Sequence, residues 1–315
     1  MLAEQLKNVS SVAIAGHVKP DGDCVGSTLA VYNYITSNYE DITVDLYLEP
    51  IPNIFKFLKN ADQINSAYDK DMQYDLFIAL DCGDTKRLGQ AEKYFTAAKR
   101  TFCVDHHISN ESFADVNYIY PNASSTSELV YGLLEEEKIT KEIAECIYVG
   151  IVHDTGVFQY SCTSSKTMNV AGHLMDKGID FSRIVDETYF KKTYEQNRIL
   201  GQAMVDSKLW LDGKCISTIV TAEEMEEFSV LPKHLEGIVQ QLRVTKDVEA
   251  AIFIYENSDG TYKASMRSGG SVDVASIMMK YGGGGHVRAA GATMEGTPDK
   301  ILEALLNDVK EQLQG

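Results

Sequence analysis

Four apolar runs rich in valine and isoleucine, SVAIAGH (11–17), ITVDLYLE (42–49), YDLFIALD (74–81) and TFCVDHH (101–107), dominate the first third of the chain. Stretches with helical patterning, such as VGSTLAVYNYITSN (25–38) and LGQAEKYFTAAK (88–99), separate them. This alternation specifies βαβ units and therefore a parallel sheet. A second constraint follows from the first. In an open α/β sheet, ligands bind outside the carboxyl ends of the strands. Three of the four runs finish on acidic or imidazole side chains: His17 to Asp23, Asp81, and Asp105 to His107. Those ends are expected to converge in one crevice.

At 315 residues the chain is about twice the usual domain length, which predicts two domains, each with its own core. From about residue 124 the pattern turns helical (STSELVYGLLEEEK, TKEIAECIYVGIVHD, SKTMNVAGHLMDKG). After residue 206 it becomes strand-like, with KLWLDGKCISTIV and VEAAIFIYENSDGTYKASMRSGG, where NSDG (257–260) predicts a hairpin turn. The expected organisation is an α/β parallel-sheet domain over 1–189, a linker helix over 190–206, and a smaller mixed α/β domain over 207–315.

Four segments concentrate metal-binding side chains: His17, Asp21 and Asp23; Asp81; Asp105, His106 and His107; and His153 with Asp154 in GIVHDTG. Carboxylates with imidazoles suit manganese, magnesium or similar divalent ions, and the lack of a thiolate pattern argues against structural zinc. A pair of such ions needs bridging carboxylates and several terminal ligands, which this set can supply. Gly22 is expected to let the backbone turn tightly between Asp21 and Asp23, with Gly26 and Ser27 opening a helix. Taken singly, an Asp-Gly-Asp turn is ordinary capping chemistry. Joint placement of these segments at the ends of apolar runs is what argues for a shared site. Farther on, YGGGGHVRAAG (281–291) reads as a phosphate-cradling loop with His286 and Arg288. Arg267 and Ser268, at the end of a strand pattern, could add a forked donor and a hydroxyl.

Hydrophobic residues at 44% and charged residues at 24% exclude a disordered or fibrous chain. The formal net charge of −17 disfavours a long, sequence-independent grip on nucleic acid. Screening beyond about 8 Å still lets a small anion reach a local cationic cluster. No apolar run approaches a membrane span, and MLAEQLKNVS lacks the features of a signal peptide, so a cytoplasmic location with no membrane partner is expected. The six cysteines have no zinc-type spacing and are expected to be mostly buried small hydrophobes.

In order and spacing, HVKPDGDCVGS, ALDCGD, VDHH, GIVHDTGVF and GGGGHVRAAG resemble the DHH phosphoesterases, in particular the bacterial nanoRNase and 3′,5′-bisphosphate nucleotide phosphatase group. The resemblance implies two divalent metal ions, manganese first, with magnesium or cobalt as alternatives. His17, Asp21, Asp23, Asp81, His106 and Asp154 would hold them, with Asp81 as the bridge. It implies that His107 contacts the scissile phosphate and that Asp105 supports the neighbouring ligands. Arg267, Ser268, Gly283, Gly284, Gly285, His286 and Arg288 would bind substrate from the second domain, across a cleft between the two.

The activity implied is hydrolysis of short oligonucleotides (nanoRNA, linear dinucleotides such as pApA) to mononucleotides, of 3′-phosphoadenosine 5′-phosphate to AMP, or of both, by a metal-activated water. Long double-stranded nucleic acid is not an expected partner, and a homodimer is compatible with the reading. Two other readings compete. A family-II-like inorganic pyrophosphatase shares the first half but carries a basic motif in place of the Gly-rich block. A non-catalytic nucleotide-sensing protein would usually lack a metal ligand, and none is missing here.

Overall fold

The computed structural model describes residues 2–314. It divides into two compact units, with the boundary between Lys191 and Lys192. The first unit is built on five strands: β1 (Ser11–Ala15), β2 (Thr43–Tyr47), β3 (Leu76–Leu80), β4 (Thr101–Asp105) and β5 (Val116–Ile119). They run in the order β2-β1-β3-β4-β5, and every pair is parallel. The fold class is the α/β class expected from the alternation.

Both faces of this sheet are covered, which explains why the strands read as continuous apolar runs. Val12, Ile14, Ile78 and Leu80 pack into one core, while Ala13, Ala15, Phe77 and Ala79 pack into another, the period-2 alternation of a strand. The fifth strand had no counterpart among the runs. It is short, half-exposed and interrupted by Asn117, so edge pairing holds it rather than burial. In LGQAEKYFTAAK only Glu92–Ala97 is α-helical, because the preceding 3₁₀ segment contains Gly89 at φ +54°.

The Gly22–Asn38 helix is almost wholly buried over its first fourteen residues and lies against the Lys141–Asp154 helix. Gly26 sets that approach, and Gly150 sets the approach of the Thr126–Leu133 helix. A Cβ on Gly26 would sit 2.5 Å from the Cys146 carbonyl oxygen, and a Cβ on Gly150 would collide with Ser127 Oγ. Among the described residues, no helix is long and apolar enough to cross a membrane. All six cysteines are free; Cys162 is exposed and the others are buried.

The second unit holds a mixed sheet of six strands: β6 (Lys208–Trp210), β7 (Cys215–Val220), β8 (Ala250–Glu256), β9 (Tyr262–Ser268), β10 (Gly284–His286) and β11 (Ala289–Met294). The order is β10-β11-β9-β8-β7-β6, and only β7 and β8 are parallel. NSDG forms the β8–β9 hairpin, with Gly260 at φ +81°. Along β8, Ala250, Ile252 and Ile254 face one core while Ala251 and Phe253 face the other. The Tyr194–Val205 helix, in the stretch expected as a linker, seats Ile199 and Ala203 in that second core.

The helix crossing makes a stability prediction. Gly26→Ala should destabilise the protein by about 1–3 kcal/mol, the usual cost of overpacking. Gly132→Ala, at an open helical site with nothing within 4 Å of the added Cβ, should be neutral or stabilise by up to about 1 kcal/mol. Urea midpoints of the two variants check this, and equal shifts would mean that the helices do not need the close approach.

Candidate metal centre

Asp81 follows β3 directly and adopts φ +55°, a left-handed conformation that costs a non-glycine residue on the order of 1–2 kcal/mol. Its amide still joins the ladder, donating to the Val104 carbonyl at 3.1 Å. The carboxylate lies between two histidines. Oδ2 is 3.5 Å from His17 Nε2, and Oδ1 is 3.7 Å from His106 Nε2. Thr126 Oγ1 donates to the same Oδ1 at 3.1 Å.

Backbone carbonyls fix the tautomer of both rings. His17 Nδ1 lies 2.8 Å from the Val18 oxygen, and His106 Nδ1 lies 3.3 Å from the Ala123 oxygen. A carbonyl can only accept, so the proton sits on Nδ1 in each neutral ring and the Nε2 lone pair faces the carboxylates. This is the outer hydrogen bond typical of metal-ligating histidines. Around His17 Nε2 stand Asp81 and Asp21, whose Oδ2 is 3.6 Å away. Around His106 Nε2 stand Asp154 Oδ2 at 3.1 Å, Asp81 Oδ1 at 3.7 Å and Asp23 Oδ2 at 3.9 Å. The two groups share Asp81.

Helix ends deliver the remaining carboxylates. Asp21 is the N-cap of the Gly22–Asn38 helix: its Oδ1 accepts from the Asp23 and Cys24 amides at 3.1 Å, which leaves Oδ2 for His17. Capping and site chemistry coexist in one side chain. The helix thus starts four residues before Gly26, where it was expected. Asp23 is buried and accepts from the Thr126 and Ser127 amides at 2.7 and 2.9 Å, at the start of the Thr126–Leu133 helix. Asp154 ends the Lys141–Asp154 helix.

The cluster concentrates carboxylates that a bound cation would offset. Burial, together with Asp81 and Asp154, pushes the Asp23 carboxyl well above its usual range. Burial also raises Asp154 to about 7; the adjacent His106 opposes this, while Asp81 and Asp21 add to it. For His17 burial favours the neutral ring, yet the Asp21 and Asp81 carboxylates outweigh it and raise the ring to about 10. A proton on His17 neutralises charge that a divalent ion would neutralise better. The donor set of carboxylates and imidazoles fits a hard or borderline divalent ion. The nearby Cys24 is buried, its thiol donates to the His17 carbonyl at 3.8 Å, and burial pushes it up, so it adds no thiolate.

Beside these groups, His107 Nδ1 donates to Asp105 Oδ1 at 2.7 Å. Asn110 Nδ2 donates to Asp105 Oδ2 at 2.7 Å and to the Cys82 carbonyl at 3.1 Å. Burial disfavours the Asp105 charge, but the hydrogen bonds from His107 and Asn110 hold its carboxyl below the usual range. In return, the Asp105 bond raises His107 against the effect of burial.

Asn110, Thr126 and Ser127 were not singled out in the sequence. SSTSE before an apolar run does signal a helix start, but nothing local says that its amides hold Asp23. For Asn110 there is no local signal at all. His153 was grouped with the metal-binding segments, and the structure corrects this. Its Nε2 lies 2.9 Å from Thr188 Oγ1, its ring packs edge-on against Phe55 and Tyr189, and burial lowers it to about 4. Gly22 is also reassigned. It has no left-handed backbone, and its need for glycine comes from the His153 ring, with which a Cβ would collide.

In the second unit Arg267, on β9, pairs in register with Ala289, and the Ser268 amide donates to the Arg288 carbonyl at 3.0 Å. This brings Arg288, in the turn between β10 and β11, beside the end of β9 that carries Arg267 and Ser268. His286 and Arg288 are exposed, and neither side chain makes a hydrogen bond or ion pair among the described residues. The buried Ser268 Oγ accepts from the Gly270 amide at 3.0 Å. The glycines also meet a packing requirement. The Gly283 amide donates to the Met278 carbonyl at 2.9 Å, and Cβ atoms on Gly283 and Gly285 would collide with the carbonyls of Gly291 and Ala289. Gly284, the middle residue, pairs with Gly291 in the β10–β11 ladder. Close strand approach therefore accounts for Gly283 and Gly285.

Both halves of the chain match known domain families. The DHH family N-terminal domain matches residues 11–151, and the DHHA1 domain matches residues 213–315. The bifunctional oligoribonuclease and PAP phosphatase NrnA of Thermus thermophilus is 28% identical, over 99% of this chain and 94% of that protein. Its namesake in Bacillus subtilis is 28% identical over 99% of both chains. The crystal structure of an exopolyphosphatase-related protein from Bacteroides fragilis superposes with a TM-score of 0.92 at 27% identity, covering 100% of this chain and 96% of that one. With a DHH domain followed by a DHHA1 domain, and relatives that align end to end, this chain belongs to the DHH family of phosphoesterases.

Proposed function

We propose that this protein is a manganese-dependent phosphoesterase of the cytoplasm that cleaves short oligonucleotides to mononucleotides and removes the 3′-phosphate of 3′-phosphoadenosine 5′-phosphate. The observation that carries the reading is Asp81 placed between two histidine-centred groups, with one oxygen toward each ring. His17, Asp21 and Asp81 would hold one ion, and Asp23, Asp81, His106 and Asp154 the other. When bound, the pair would supply Lewis-acid activation of water and neutralise charge at the phosphorus. Two imidazoles in the set favour manganese over magnesium, which prefers oxygen donors and retained waters. The oligoribonuclease and PAP phosphatase names of the full-length relatives support the substrate class.

The chain's own residues divide the rest of the work. Asp105, steadied by Asn110, fixes the His107 proton on Nδ1 and favours the imidazolium, which presents its other N–H to a phosphate oxygen where charge develops. Arg267, Ser268, His286 and Arg288 anchor the far phosphate or nucleotide, so that binding energy orients the scissile bond. A net charge of −17 opposes long strands, whose outer phosphates gain no cationic contact.

With manganese, the protein should release mononucleotides from linear dinucleotides and phosphate from 3′-phosphoadenosine 5′-phosphate faster than it degrades long RNA or pyrophosphate. Asp81→Asn, which removes charge at nearly constant volume, should lower kcat on the dinucleotide by more than ~100-fold, beyond the loss usual for an outer-sphere partner. Near-normal turnover of this variant at saturating manganese would overturn the shared-carboxylate reading.

Replacing His286 or Arg288 by alanine should separate anchoring from chemistry. Loss of a charge-assisted hydrogen bond, at about 1.5–3 kcal/mol, predicts a roughly ten- to hundredfold fall in kcat/KM for dinucleotides. Hydrolysis of bis-p-nitrophenyl phosphate, which has no remote phosphate, should hardly change, and manganese content should stay the same. A parallel loss on the generic diester would place these residues at the scissile phosphate instead.

A further inference from the structure

His153 is next to Asp154 in the chain yet turns its Nε2 to Thr188 rather than to a carboxylate, and three contacts hold its ring. Thr188 Oγ1 spends its own proton on the Ile184 carbonyl at 2.8 Å, so toward His153 it can only accept, and the ring carries its proton on Nε2. Phe55 meets the ring edge-on with centroids 4.9 Å apart, and Tyr189 does so at 5.7 Å. Thr188 and Tyr189 belong to a π-helical turn, Asp186–Phe190, the last element before the first unit ends at Lys191. Single π turns of this kind are frequent at functional sites.

The ring also lies against Gly22, in the space a Cβ would need. Gly22 separates Asp21, which faces His17, from Asp23, which faces His106. A displacement of Gly22 therefore moves one carboxylate of each donor group at once. The helix that carries the ring also carries Asp154, the carboxylate closest to His106.

We propose that His153 is a positioning residue for the metal centre: anchored on Thr188, its ring sets the Asp21-Gly22-Asp23 turn against Asp154 and so fixes how far apart the two donor groups stand. The inference rests on the metal reading given above. It assigns His153 no ligand role and gives the π turn a purpose beyond chain connection.

The experiment titrates manganese(II) into the purified full-length chain and follows the free ion by electron paramagnetic resonance. His153→Ala and Thr188→Val should each weaken manganese binding by about ten- to a hundredfold, the range for outer-sphere partners. His153→Gln, which keeps an N–H for Thr188, should recover part of the loss. Gly22→Ala should weaken binding strongly in the wild-type background and much less in the His153→Ala background, where the added methyl has room. Such non-additivity is the mark of two groups in direct contact. Thr188→Val and His153→Gln keep the test available if removal of the ring prevents folding. Wild-type affinity in His153→Ala and Thr188→Val, or additive losses in the double variant, would overturn the inference alone. A wild-type chain that takes up no manganese would overturn the metal reading and this inference with it.

Discussion

Crowding of like charge at one edge of a parallel sheet is the constraint on which the rest of the first unit depends. Asp21, Asp23, Asp81 and Asp154 gather around two imidazoles. At an effective dielectric of about 20, two unit charges ~4 Å apart repel by about 4 kcal/mol. A few such pairs would consume the whole of a typical folding stability of about 5–15 kcal/mol. Against the effect of burial, the Asp21 and Asp81 carboxylates raise His17 to about 10, and burial, with Asp81 and Asp21 adding to it, raises Asp154 to about 7. Divalent cations bound here would leave all four carboxylates charged.

Local geometry bends to that requirement. Asp81 accepts a left-handed backbone so that its carboxylate lies between the two rings, a strain placed where function uses it. Gly26 lets two buried helices approach closely, and Gly150 leaves the space that Ser127 and the Asp23 carboxylate occupy where Asp23 meets the Thr126 and Ser127 amides. Those amides are unpaired donors of a helix start, and they hold both oxygens of a carboxylate that could not otherwise be buried. Thr126 then reaches Asp81 with its hydroxyl, which links the two donor groups through one residue.

The strands and their terminal side chains were legible because a continuous apolar run rich in valine and isoleucine between helical stretches is a strong local signal. His17, Asp21, Asp23, Asp81, His106 and Asp154 all lie at or just beyond the ends of such runs and helices, and the structure brings them together. What could not be read depends on distant partners. Thr126 and Asp23 are 103 positions apart, and Asn110 reaches Cys82 across 28. His153 looked like a ligand because of its neighbour Asp154, whereas its partner Thr188 lies 35 positions away in a π turn with no sequence signature. The glycine block carries a second requirement that no local signal shows: β11 lies beside it, so Gly283 and Gly285 are also needed for close strand approach.

The central claim is that one carboxylate is shared by two ions. The most direct measurement is the electron paramagnetic resonance spectrum of the protein loaded with manganese(II), together with the bound-metal stoichiometry. A carboxylate common to both ions couples their electron spins, so the account predicts two manganese ions per chain and an exchange-coupled spectrum. One ion per chain, or two that give the spectrum of isolated manganese, would contradict it.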